Sequence, residues 1–127
     1  MDKNMMYHLL TYQYHSIFNC MVKGITDIPK NKSVWAFAYK EDDRALSLKC
    51  KPVLGVIKDN LYFYEYKSNG KDLKKNRVNV ESRYYADTYD EAVYGFNRLI
   101  EYRIHRLNDE IKQDENRRIV TFIGEDK

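Results

Sequence analysis

The chain has 127 residues, 43% of them hydrophobic and 32% charged, with a formal net charge of +3 and twelve Tyr. That length suits one domain spanning residues 1–127, and that apolar content suffices for a packed core. So small a net charge argues against a dedicated duplex binder, whose affinity rests on many phosphate contacts, and no stretch approaches the roughly eighteen apolar residues of a membrane span.

Residues 5–23 read as a helix. Met6, Leu10, Tyr14, Ile17 and Met21 recur at helical spacing, and Gly24 offers a stop. His8, Tyr12, His15 and Asn19 then fall on its wet side. Asp27–Lys32, with Pro29, reads as a loop. From Ser33 the period changes to two. Trp35, Phe37 and Tyr39 point one way and Val34, Ala36 and Ala38 the other, a strand over 33–40 covered on both faces.

After a turn at Glu41–Asp43, residues 45–50 alternate as a second strand, and Pro52 separates it from a third over 53–58. Asp59 and Asn60 both tolerate positive φ and join that strand to a fourth over 61–67. Asn69–Gly70 marks the next turn, before a fifth strand over 77–85. Thr88 and Glu91 have the spacing of a capping box. It opens a long helix over 89–114 whose stripe is Ala92, Val93, Phe96, Ile100, Ile104, Leu107 and Ile111. Ile119–Ile123 is short and β-branched, an edge-strand candidate. The expected fold is α+β: a small antiparallel sheet, or an SH3-like partly open barrel, between an N-terminal helix and a long C-terminal helix.

No catalytic or metal constellation emerges. His8 and His15, on one helix, stand about 10 Å apart along its axis, too far to share an ion. His105 has only ordinary helix-surface partners in Glu101 and Asp109. Cys20 and Cys50 sit beside apolar positions, where thiols are mostly inert. The five glycines are isolated and form no phosphate loop. The expectation is a protein without enzymatic activity, cofactor or metal.

Three groups instead suggest contact surface. Tyr62, Tyr64 and Tyr66 share one face of a strand, opposite Leu61 and Phe63, which face the core. An outward row of rings can stack bases or anchor a protein partner, or a helix can cover it. Lys67, Lys71, Lys74, Lys75 and Arg77 follow in the next hairpin, with Arg83 beyond. Basic residues beside aromatics suit a single-strand groove or an acidic protein. Tyr94, Arg98, Tyr102 and His105 lie on the long helix away from its apolar stripe, where a larger host protein or a second copy could dock.

The run Lys51, Pro52, Val53, Leu54, Gly55, Val56, the Tyr62–Tyr66 segment, and Tyr84 to Ala92 followed by Gly95, Phe96 and Asn97 together resemble small phage or mobile-element accessory proteins. The Lys, Asn and Tyr bias is similar to that of AT-rich bacterial hosts. The resemblance spans roughly residues 50–110 and carries no defined functional residue. It implies a non-catalytic binder in the cytoplasm of a bacterial host cell. Such a binder blocks a host defence protein or nucleoprotein by occupying its working surface, as anti-CRISPR proteins do. A single-strand nucleic-acid binder and an enzyme with an unfamiliar site are the alternatives. The first residues, Met1 to Asn4, lead into a mixed stretch without the apolar run of a secretion signal, which fits the same compartment.

Overall fold

The computed structural model describes residues 5–9, 13–38 and 51–125. Eight strands and one helix follow in chain order: β1 (Met6–His8), β2 (Gln13–His15), β3 (Cys20–Gly24), β4 (Ser33–Ala38), β5 (Val53–Lys58), β6 (Tyr62–Tyr66), β7 (Leu73–Asn79), β8 (Arg83–Ala86) and α1 (Tyr89–Glu125). They build a single sheet in the order β2-β3-β1-β8-β4-β5-β6-β7. All its pairs are antiparallel except β1 with β3.

The N-terminal helix expected over 5–23 is absent; β1, β2 and β3 occupy that segment. The reason is that β1 is buried on both sides. Met6 joins one core and Tyr7 the other, while β1 pairs with both β8 and β3. A strand apolar on both faces carries no period-two signal, so its residues can be threaded onto a helical stripe equally well. Asn19, at φ 56, turns the chain back between β2 and β3 where a helix would have continued.

The SH3-like barrel is corrected too. The sheet is open, with β2 and β7 at its edges, and among the described residues no ladder joins β7 to β8. It is nevertheless strongly curled. From Asn79 to Arg83 the chain reaches about 14 Å at most, whereas the four strand spacings separating β7 from β8 would measure about 19 Å in a flat sheet. The expected strand over 77–85 is broken there by a one-turn 3-10 helix, Val80–Ser82. Val80 is buried, its N–H donates to the Leu61 carbonyl at 2.9 Å, and its own carbonyl accepts from the Tyr85 hydroxyl at 2.8 Å.

The curl gives two cores. The concave side packs Tyr7, Ile25, Val34, Ala36, Phe63, Val80 and Tyr85 together, with Val53, Ile57 and Val78 at the margin. On the convex side α1 lies over β4, β8 and β1. There Ala92 and Leu99 meet Met6, Phe18, Cys20, Val22, Phe37, Tyr84 and Ala86. Gly95 is the point of closest approach, since a Cβ there would stand 2.5 Å from the Phe37 ring. Cys20 is buried in this core; Cys50 and the expected strand over 45–50 lie outside the described residues, as do the last two positions of the 33–40 strand.

The capping box forms as its spacing predicts. The Glu91 N–H donates to Thr88 Oγ1 at 3.1 Å, and Glu91 Oε1 accepts from the Thr88 N–H at 3.2 Å. Glu91 Oε2 also accepts the Met5 N–H at 3.0 Å, tying the start of α1 to the start of β1. The helix then outruns its expected end at 114, reaching Glu125 over a length of about 55 Å. The edge strand expected over 119–123 is therefore helix. The sheet-facing line of α1 is Ala92, Gly95 and Leu99; Ile104, Leu107 and Ile111 from the expected stripe are exposed. No helix among the described residues is long and apolar enough to cross a membrane.

Candidate interaction surface

Cα partners across the sheet share a face. Val56 on β5 partners Tyr64 on β6, which partners Arg77 on β7. Lys58 partners Tyr62, and Tyr62 partners Asn79. On the other side Val56 partners Ser33, and Trp35 partners both Leu54 and Ala86. Ala86 belongs to the core beneath α1. The tyrosine row therefore lies on the convex side, the side that carries α1, but on strands that α1 leaves uncovered. Trp35, packed edge-on against Tyr89 at 4.9 Å between ring centres, marks the border.

All three tyrosines are half-buried. The Tyr66 hydroxyl lies 3.0 Å from Ser33 Oγ, two strands away, so its ring spans β5. Arg77 sets its guanidinium 3.9 Å from the centre of the Tyr62 ring and donates to the Tyr64 hydroxyl at 3.4 Å. Lys58 places its ammonium 5.3 Å from the Tyr64 ring centre. The aromatic layer thus lies against the sheet and wears a cationic outer layer, with both cations exposed to solvent. The tyrosine hydroxyls raise the Arg77 pKa further.

Phe63, opposite the row, is buried as its alternation requires. Leu61 is not: it is 59% exposed. Asp59 and Asn60 take positive φ, and the Leu61 N–H closes the turn onto the Lys58 carbonyl at 3.1 Å. With Lys58 opposite Tyr62, Leu61 belongs to the turn. Gly55 lets β5 and β6 approach closely on the concave side, where a Cβ would meet the Tyr64 carbonyl oxygen at 2.1 Å.

The other basic residues spread along the edge. Lys67 and Lys71 sit in the exposed β6–β7 turn, shaped by Asn69 Oδ1, which accepts the Lys71 and Asp72 N–H groups at 2.9 and 3.1 Å. Lys74 is tied to Glu65 at 3.0 Å. Lys75 is exposed on edge strand β7, where charge discourages unwanted strand pairing. Of the expected basic group, Arg77 alone is shown in contact with the tyrosines; Lys58, which sequence reading passed over, joins it. The hairpin at Asp59–Asn60 was the available signal, because it returns the chain so that Lys58 meets the start of the tyrosine row.

The helix group has a different setting. Tyr94 donates its hydroxyl to the Phe18 carbonyl at 3.0 Å, and Arg98 Nε donates to the Ile17 carbonyl at 2.8 Å. Both clamp α1 to the β2–β3 turn. Tyr102 and His105 are exposed and, with Ser16, Ile17, Arg98 and Glu101, line a shallow cleft of about 220 Å³. The structure brings Tyr62, Tyr64, Tyr66 and Arg77 together, and of the helix group it places Arg98, Tyr102 and His105 around that cleft.

His8 and His15, expected on a wet helix face, pack instead against Tyr84, with ring centres at 4.7 and 5.8 Å. His8 is buried and its Nε2 lies 3.2 Å from the Glu81 carbonyl, so it carries the proton there. Burial lowers both histidine pKa values, and the His8 charge lowers that of His15 further. On the concave side Tyr7 is pushed up to about 12 by burial and by Asp87, to which it donates at 3.2 Å. Among the described residues no three His, Cys, Asp or Glu side chains gather as a metal site.

Comparison with protein-family models, with curated proteins and with solved structures finds no match, so the surface is interpreted from its own geometry.

Proposed function

We propose that the protein is a non-catalytic binder that engages an acidic patch on a larger protein or nucleoprotein through the outer face of β5, β6 and β7. The observation that carries this reading is the layered arrangement of Tyr62, Tyr64 and Tyr66 beneath Arg77 and Lys58, on strands that α1 does not cover. Tyr and Arg are the residues that most often anchor protein interfaces. Here the rings lie half-buried against the sheet and Tyr66 is tied to Ser33, so little side-chain freedom is lost on contact.

The layering favours a carboxylate-bearing partner over bases. A base stacking on Tyr62 or Tyr64 must displace a cation already seated at that ring, whereas a carboxylate meets Arg77 where it stands. The modest net charge of +3 agrees, since it gives little general attraction to phosphate backbones. Function then follows by steric occupation of the partner's surface. The resemblance to phage accessory proteins puts the nucleases and nucleoproteins of bacterial defence first among partners to try.

Affinity capture from a bacterial lysate, with and without nuclease treatment, tests this with two baits. The wild-type chain should retain a protein that survives nuclease, and a Tyr64→Ala, Arg77→Glu bait should lose it. Equal capture by both baits would remove the surface from the account. Capture abolished by nuclease would replace the protein partner with nucleic acid.

A further inference from the structure

Ile100, Ile104, Leu107 and Ile111 follow one another at intervals of four, three and four along α1, the spacing of a coiled-coil seam. Ile104 is 51% exposed, Leu107 39% and Ile111 55%. From Leu107 through Arg118 every described side chain is exposed, and the helix runs on to Glu125. The outer half of α1 thus leaves the sheet and carries an apolar stripe into water, whereas most helical stability in proteins comes from packing such a face.

We propose that this stripe is the interface of an antiparallel homodimer, α1 of one copy lying against α1 of a second. A two-fold axis needs a surface that complements itself. Setting Ile104 opposite Leu107 of the second copy also sets Ile100 opposite Ile111, and both contacts repeat by symmetry. The next layer outward places Asn97 opposite Asp114 at each end; both are exposed polar residues that can hydrogen-bond and fix the register. Beside the seam, Arg103 of each copy comes level with Glu110 of the other. A parallel pair in register would instead set Glu110 against Glu115 of its neighbour along both flanks of the seam. The charge pattern thus selects a second copy, and the antiparallel orientation of it.

Sedimentation equilibrium on the full chain tests the proposal. The wild type should be dimeric at ~10 µM, and Leu107→Glu or Ile111→Glu, both at exposed positions that leave the core intact, should weaken the dimer about 100-fold or more. Circular dichroism confirms that each variant keeps the fold of the sheet. Glu110→Arg should weaken self-association about tenfold, as should Arg103→Glu, because each sets like charges level; an equimolar mixture of these two variants should form heterodimers in preference to either homodimer. A wild type monomeric at ~1 mM, a dimer indifferent to both Leu107→Glu and Ile111→Glu, a dimer tightened by Glu110→Arg, or variants that do not prefer each other would each overturn it.

Discussion

Gly55 and Gly95 show how little room single positions have. A methyl group at Gly95 would stand 2.5 Å from the Phe37 ring and 3.1 Å from Met6 Sδ. Gly95→Ala should therefore lift α1 from the sheet and cost about 1–3 kcal/mol, despite the better helix propensity of Ala. At Gly55 the obstruction is backbone, the Tyr64 carbonyl oxygen at 2.1 Å, and cannot rotate away. Gly55→Ala should be the more damaging of the two in urea unfolding and should also disturb the seating of the tyrosine row on the opposite face. At Arg77, replacement by Lys keeps the charge but loses the planar group that covers Tyr62 while reaching Tyr64. Binding should drop with Arg77→Lys nearly as far as with Arg77→Ala, while the unfolding midpoint stays within experimental scatter because the side chain is exposed.

Elements decided by local chemistry were legible in the sequence, and those decided by pairing were not. The β5–β6 hairpin, the start of α1 and the two-sided burial of β4 follow from Asp59 and Asn60, from Thr88 and Glu91, and from the alternation of Val34 and Ala36 with Trp35 and Phe37. Residues 5–23 were misread because what makes them strands is distant: β8 on one side of β1, and a parallel β3 on the other. Val80 ended a strand that looked continuous because its groups are claimed by Leu61 and Tyr85. The candidate site was half legible. Alternation located the tyrosine face, but the cations that complete it arrive from two neighbouring strands whose register no local pattern states. The junction of α1 with β1 gives an element-scale prediction. Glu91→Ala removes the capping box and the Met5 anchor together, and should lower stability by about 1–2 kcal/mol. Thr88→Ala, which leaves the Met5 bond intact, should cost less in the same urea titration.

At the scale of the whole molecule, the sheet keeps its two cores on opposite sides of a curl, and β1 and β8 contribute to both. The histidine pair sits on the convex core, against Tyr84. Their folded pKa values are lowered from 6.5, so over that range the unfolded chain binds more protons than the folded one. This contribution to stability is complete above pH 6.5 and is lost as pH falls from 6.5 through the lowered folded values. Melting temperature should decline across that window, and His15→Gln should flatten the decline. A melting temperature independent of pH there would contradict the packing of the pair. The projecting half of α1 and the tyrosine face belong to different parts of the molecule, since Tyr89 at the start of the helix borders the row and the exposed stripe begins about 22 Å further along the axis, at Ile104. Dimer formation and partner binding can therefore be separated by mutation.

Deuterium exchange on the chain, alone and with a captured partner, would bear most directly on the central claim. Protection should appear in β6 and β7, over residues 62–66 and 73–79, and at the Lys58–Leu61 turn between β5 and β6. Protection confined to the Tyr102–His105 cleft or to the projecting helix, with β6 and β7 unchanged, would mean that the partner binds elsewhere.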